Sequence, residues 1–265
     1  MTSPIPVAVL GTGPLADRIA AHPDVVVTEH SPVVLHLSPD PAELAALLSA
    51  GRNVVTALPL DALPLDELTA ACAAGSVTLH ATGGHQSAVA ARLTRSLAAA
   101  TREITRIELI EEIVLPELGA DAESARAAAE AVAGNYVDGL RTLEDGAFGT
   151  RGTDTATVAV EVRTDDTGAV RQVVADHDLG TRARYRSVRS VEGAVPLRYR
   201  VVSTSAAGTG TATVEFHPTD GLHPAEQLTL VELLSAARAI HASPPGIVLR
   251  DLAITHLAAD DRSAR

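Results

Sequence analysis

The hexapeptide Gly11-Thr12-Gly13-Pro14-Leu15-Ala16 follows directly on an apolar run, residues 7–10, and runs into a helix-like stretch, residues 15–21. Strand, glycine turn and helix in that order form the opening unit of a dinucleotide-type βαβ fold. The first glycine permits a tight turn, the second lets backbone approach a pyrophosphate, and the helix N-terminus offers unpaired N–H groups. Ala16 takes the third, close-packing position, an accepted variant of the pattern. The turn predicts Gly11, Thr12, Gly13, Pro14 and Leu15 as nucleotide contacts. Glu29 stands 18 residues after Gly11, at the end of the next apolar run, where a carboxylate accepts the ribose hydroxyls. A carboxylate there repels a 2′-phosphate and so predicts NAD over NADP. The alternative is a solvated loop residue.

Apolar runs at 25–27, 33–37, 53–56 and 77–80 alternate with helical stretches at 42–50, 65–74 and 87–100, with little polar alternation inside the runs. That texture predicts parallel strands covered on both faces. Asp40 caps the 42–50 helix, with Pro41 at its first position. After residue 105 the texture changes. Helices are predicted at 122–132 and 136–143, then a glycine-punctuated turn at 146–152. Period-two strands follow at 155–163, 169–176, 183–191, 197–203 and 211–216, with turns at 165–168, 192–193 and 208–210. A last helix spans 227–241, and 260–265 reads as a frayed tail. The expected fold class is α/β: a shortened Rossmann-type parallel sheet domain, 1–104 completed by 227–265, plus an α+β domain, 105–226, with a mostly antiparallel sheet.

Composition narrows the function. A formal net charge of -12 argues against a chain that neutralises nucleic-acid phosphates or an anionic membrane. All 21 cationic side chains are arginine, so Schiff-base and lysine general-base chemistry are excluded. Cys72 is the single cysteine, which leaves no intramolecular disulfide and no cysteine cluster for zinc. With no basic leader ahead of the glycine turn, the expectation is a cytoplasmic protein working on a small molecule without a metal. Cys72 itself reads as a small helix residue in the core.

Four further segments, taken in order, carry a family likeness. They are Val33-Val34-Leu35-His36-Leu37 followed by Ser38-Pro39; Ala50-Gly51-Arg52-Asn53-Val54-Val55-Thr56; Ala81-Thr82-Gly83; and Ala239-Ile240-His241-Ala242-Ser243-Pro244-Pro245-Gly246-Ile247. Together they resemble the dihydrodipicolinate reductase-like superfamily, especially its 2,4-diaminopentanoate dehydrogenase and native amine dehydrogenase branch. The resemblance implies a Rossmann domain completed by the C-terminal helix and an inserted mixed sheet that assembles a homodimer or higher oligomer. It also implies NAD(P)H-dependent reduction of an imine, or the reverse reaction on an amine, with Ser38, Pro39, Thr82 and Gly83 beside the cofactor. The chain departs from the branch at Ala57-Leu58-Pro59, where the branch carries acidic residues, and at Gly84-His85-Gln86-Ser87, where it carries NPGF. Two readings therefore stay open beside the oxidoreductase. One is a cofactor-independent cyclase, isomerase or lyase of secondary metabolism that keeps the fold; the other is a non-catalytic ligand-binding protein.

His85, after a glycine pair at a strand-to-helix junction, is the first choice for acid or base, against a reading in which it caps a helix beginning near Ser87. Gln86 is a candidate to orient a polar substrate group. On the 105–114 strand, period two puts Glu108 and Glu112 on one face and Glu111 on the other. Glu112 is the carboxylate assigned to an amine or iminium, against a solvated strand face. His36 and His80 read as packing histidines. Asp176-His177-Asp178 resembles a metal cluster, but adjacent strand side chains diverge, which favours a turn or sheet-end cluster. Tyr185 and Tyr199 lie among Arg182, Arg184, Arg186 and Arg200, which reads as one arginine-tyrosine face for a carboxylate substrate or a subunit interface.

Overall fold

The computed structural model describes residues 4–101, 103–149, 154–217 and 222–248. The expected tail, 260–265, lies outside them. The chain divides into two compact units, Met1–His85 with Glu226–Arg265, and Gln86–Ala225.

The first unit begins with β1 (Ile5–Leu10), α1 (Pro14–Ala20) and β2 (Val25–Val27), continues through β3 (Val33–His36), α2 (Ala42–Ser49), β4 (Asn53–Thr56), α3 (Leu65–Gly75) and β5 (Thr78–Ala81), and ends with α7 (Pro224–Ala239) and β12 (Gly246–Val248). Its sheet runs β12-β5-β4-β3-β1-β2, with every pairing parallel. The strands read as unbroken apolar runs because both faces are covered. Ile5, Val7, Val33, Leu35 and Val55 meet Leu233, Ala236 and Ala237 of α7 on one side. Ala8, Val34, Val54 and Leu79 meet Leu44 and Leu48 of α2, and Leu68 and Cys72 of α3, on the other. Cys72 is thus a core residue, and burial pushes its thiol up from the ordinary value. Asp40 accepts the Ala42 N–H at the head of α2.

Between β2 and β3 there is no helix. Five residues make the crossing, held where the Ser31 hydroxyl donates to the Pro6 carbonyl and Arg52 donates to the carbonyls of Glu29 and Ser31. β12, only three residues long, adds an edge strand beside β5 that the sequence pattern was too short to reveal.

The second unit holds most of α4 (Gly84–Ala100), then β6 (Ile104–Val114), α5 (Ala122–Ala131) and α6 (Ala133–Phe148), followed by β7 (Thr157–Thr164), β8 (Val170–Leu179), β9 (Ala183–Ser190), β10 (Leu197–Ser205) and β11 (Gly208–Phe216). Its sheet order is β11-β10-β6-β9-β8-β7, antiparallel throughout except for the β6–β9 pair. Asp121 opens α5 with a reciprocal capping box to Ser124.

Three expectations are corrected here. α6 runs on through Gly139 and Gly146, where a turn was expected at 146–152, because the missing side chains admit Tyr185 and Thr94 against the helix; residues 150–153 lie outside the described set. β11 begins at Gly208, so the turn is Ala206-Ala207, not 208–210. β8 extends to Leu179, which places Asp176, His177 and Asp178 inside a strand instead of a turn.

Candidate functional site

The strand ends of the first sheet are in register. Leu10 pairs with His36, His36 with Thr56, and Thr56 with Ala81, so four connections leave one edge side by side. Order reverses between β1 and β3, and in open parallel sheets such a switch point is the ligand crevice. Gly11 and Ser38 meet there. A Cβ on Gly11 would lie 3.0 Å from Leu37 Cβ and 3.2 Å from Ser38 N, so the β1 exit closes on the β3 exit only because residue 11 has no side chain. Gly13 has the opposite surroundings: its φ is +113° and nothing lies within 4 Å of a Cβ built on it. The turn thus presents a strained, glycine-only backbone to open space.

Helix α1 is seven residues long with Pro14 at its first position, where the absent N–H costs nothing inside the helix. Ser38 folds its hydroxyl onto the Asp40 N–H, with Pro39 exposed beside it. Further along the edge, the Thr82 N–H donates to the Thr56 carbonyl and the Thr82 hydroxyl accepts from Gly84 N, while Gly83 and Gly84 both have positive φ. α4 therefore starts at Gly84, three residues earlier than the capping reading of His85 requires. His85 sits in the first turn of the helix instead of ahead of it. Thr12 and Leu15 complete the glycine turn.

Val27 pairs with Val7 and the Thr28 N–H donates to the Val7 carbonyl, four residues short of Gly11. Continued in that register, Glu29 falls opposite Val9, two residues or about 7 Å short of Gly11 along the strand direction.

His36 is wholly buried at the same edge. Its Nδ1 lies 3.2 Å from the Thr56 hydroxyl, while its Nε2 is buried without a hydrogen-bond partner. Burial lowers the ring's pKa below the ordinary histidine value, with Glu43 and Asp40 opposing the shift. His80 Nδ1 faces the Val248 carbonyl at 3.4 Å, so its place is between β5 and β12.

The second unit holds a constellation that sequence reasoning missed. On the sheet face covered by α6, Glu111 is fully buried and takes four hydroxyl donors, two on each oxygen. Tyr136 at 2.7 Å and Ser187 at 3.0 Å donate to Oε1, while Tyr199 at 2.7 Å and Tyr185 at 3.2 Å donate to Oε2. All three tyrosines of the chain converge on one carboxylate. Burial and the neighbouring negative charge raise all three phenols, so they remain protonated donors. His177 stacks on Tyr136 at 5.2 Å with its Nδ1 toward the Tyr185 carbonyl, and burial depresses its pKa. The signal was present in the alternation that sets Glu111 opposite Glu108 and Glu112, but nothing local marks which face is dry.

This separates the expected arginine-tyrosine face into two. The tyrosines point inward and Arg182 lies over the Phe148 ring of α6 at 4.1 Å, while Arg184, Arg186 and Arg200 point to the opposite face, because neighbours on a strand diverge. There Arg184 and Arg186 grip Asp176 at 2.9 and 2.7 Å, and Arg198 bridges Glu112 and Glu215 at 2.9 and 2.8 Å. Glu112 is thereby ion-paired on the solvated side. Gln86 is buried, its Cβ 3.4 Å from the position a Cβ would take on Gly139 of α6, and neighbouring Ser87 donates to Asp138 at 2.5 Å.

No family model and no curated protein matches the chain, whereas solved structures match it along nearly its whole length. An amine dehydrogenase from Mycobacterium smegmatis superposes with a TM-score of 0.61 over 93% of this chain and 95% of that one, at 16% identity. GenD2 from gentamicin A biosynthesis, solved in complex with NAD, gives 0.56 over 100% and 95%, at 17% identity. A dipicolinate-bound dihydrodipicolinate reductase from Paenisporosarcina sp. TG-14 gives 0.53 over 92% and 97%, at 12% identity. The chain has the α/β fold of these dehydrogenases, a parallel six-stranded sheet joined to a mixed one.

Proposed function

We propose that this chain is an NAD(P)H-dependent oxidoreductase acting on a C–N bond of a small metabolite, reducing an imine or dehydrogenating an amine. The observation that carries the reading is the glycine turn at the switch point, closed against Leu37 and Ser38 through Gly11 and open over Gly13. The residues fit the group. Gly11, Thr12, Gly13 and Leu15 would lie along the pyrophosphate, with Ser38, Pro39, Thr82 and Gly83 bordering the same crevice. When bound, the nicotinamide supplies hydride donation or acceptance.

The chain's own part is to hold the dinucleotide and handle a proton. His85, one residue past the Gly83-Gly84 pair, is the group we assign to that proton, which the amine nitrogen gains on reduction and gives up on oxidation. With no lysine in the chain, a covalent imine to the protein is excluded, so the C–N bond belongs to the substrate. The choice of a C–N bond is supported by the fold likeness to an amine dehydrogenase and by the sequence resemblance to that branch. Glu29, just past the end of β2, would repel a 2′-phosphate, which favours NAD over NADP. The arginine-carboxylate face of the second sheet is proposed as the surface through which copies assemble.

Titration of the purified protein with NADH and NADPH, followed by nicotinamide fluorescence and calorimetry, tests the reading. Saturable binding is expected, and absence of binding to both at millimolar concentration overturns it. Where binding holds, oxidation of the reduced cofactor is expected with cyclic imines, or with ketones plus ammonium, and not with ketones alone.

A further inference from the structure

Helix α6 starts without a side-chain cap. It follows α5 across the single residue Val132, whose side chain caps nothing, and its first turn carries no acidic residue. Val132 and Gly134 are exposed, and Tyr136 is the first residue of the helix to be buried. That anchor is held twice: the phenol donates to Glu111 Oε1 at 2.7 Å, and the ring stacks on His177 at 5.2 Å, 17° from parallel. His177 is wholly buried. Its Nδ1 faces the Tyr185 carbonyl at 3.4 Å, and a carbonyl only accepts, so the hydrogen of the neutral ring sits on Nδ1 and Nε2 keeps a bare lone pair. Nε2 is buried with no hydrogen-bond partner among the described residues. The titratable groups around the ring are Glu111 of β6, Tyr185 and Arg189 of β9, and Tyr136 of α6, while β7 presents Val158 and α5 presents Ala125 and Ala129. Asp176 and Asp178, its neighbours on β8, point to the other face. The four hydroxyls on Glu111 occupy both of its oxygens.

We propose that Tyr136 and His177 form an acid-released latch: a proton taken from solvent at Nε2 of His177 frees the first turn of α6 and the α5–α6 corner from the second sheet, while the rest of that unit stays folded. A lone pair left unmatched in an apolar wall is tolerated far better than a cationic donor with nothing to accept it. Protonation also brings a second cation to the Tyr136 ring, over which the Arg189 guanidinium already lies at 5.2 Å. Burial opposes the proton most and Arg189 adds to it, against the pull of Asp176 and Glu111. The least costly relief is to let water reach Nε2. Val158, the cross-strand neighbour of His177 on the edge strand, is 42% exposed, so solvent already touches the adjoining side chain and only the uncapped turn has to lift. Further along α6 the hold is different in kind: Leu140 and Leu143 are buried, and Asp138 accepts the Ser87 hydroxyl. The latch is independent of the dinucleotide crevice and of the function proposed above.

The test is hydrogen exchange of the full chain, read by mass spectrometry at about pH 7.5 and about pH 5.5 and corrected for the intrinsic rate. Amides of 132–139 are expected to lose protection by about tenfold or more at the acid value, while those of 140–148, β9 and β10 change by less than about twofold. His177→Phe keeps a ring to stack on Tyr136 and cannot take the proton, so its 132–139 amides should stay protected at both values. The ring nitrogen shifts of His177 at the higher pH should report the Nδ1–H form, and an Nε2–H form would remove the basis of the latch. Unchanged protection of 132–139 in the wild type overturns it, as does an equal loss in a folded His177→Phe variant. Loss that runs together with β9 and β10 is unfolding of the whole unit and overturns it too. Should His177→Phe not fold, the two wild-type measurements still decide.

Discussion

At the scale of the residue, two glycines in one turn separate architecture from ligand binding. Both Gly11 and Gly13 have φ values that L side chains rarely adopt, so alanine at either position costs on the order of 1–3 kcal/mol of backbone strain. Gly11→Ala carries the added contact with Leu37 and Ser38, so it should lower the urea midpoint more than Gly13→Ala does. Gly13→Ala puts its methyl into the open space over the turn, so it should weaken NADH binding by about tenfold or more in a protein that stays folded. Equal binding by Gly13→Ala and wild type would show that the turn holds no nucleotide. Glu111 makes a second residue-scale case. Glu111→Ala leaves four buried hydroxyls without their acceptor and should cost about 3–5 kcal/mol in urea denaturation. Single Tyr→Phe changes at 136, 185 and 199 should each cost about 1–3 kcal/mol and fail to add, because they share one acceptor.

At the scale of the element, helix α6 shows how a glycine can be legible as a residue and misread as a signal. Glycine in a helix interior weakens it by roughly 1 kcal/mol relative to alanine, which is why 146–152 reads as a break. The helix persists because tertiary contact outweighs that loss. A Cβ on Gly139 would stand 2.9 Å from Tyr185 Cε1. Gly139→Ala should therefore destabilise the protein by about 1–3 kcal/mol, although the same change on an open helix face stabilises; a rise in the urea midpoint would contradict this packing. The strands were easier to read, since period-two alternation survives in β8, β9 and β10. The dry face was not, because Glu111 and the tyrosines are polar by type and become interior only when α6 covers them. The parallel strands β1, β3, β4 and β5 were legible as apolar runs, while three-residue β12 was not. The site shows the same division: the glycine turn was readable from spacing, whereas the buried Glu111 cluster depends on which face of the second sheet α6 covers.

At the scale of the whole molecule, acid should be the weak side of the stability profile. His36 and His177 are buried and their folded pKa values are depressed, so the unfolded chain binds protons that the folded one refuses. Their contribution is full above the unfolded value of about 6.5 and is lost as pH falls through and below it. Urea midpoints should be flat between pH 7 and 8 and decline from pH 6.5 toward 5. The decline should be shallower in His177→Asn, and an unchanged slope in that variant would count against the assignment. The charged face of the second sheet bears on assembly. If copies join through its Arg184, Arg186 and Arg198 ladders, the sedimenting mass should fall toward a monomer in about 0.5 M salt, where charges are screened within a few ångström. A salt-independent monomer would exclude that face.

The gathering of every tyrosine onto Glu111, in a chain without tryptophan, also fixes what light can report about this protein. Near-ultraviolet absorption and intrinsic emission arise almost entirely from one buried cluster in the second unit, where contact with a carboxylate quenches the phenols. Far-ultraviolet dichroism, by contrast, follows the helices of both units. A melt recorded both ways therefore separates loss of the tyrosine cluster from loss of the parallel sheet, and reduced nicotinamide can be watched without a tryptophan background.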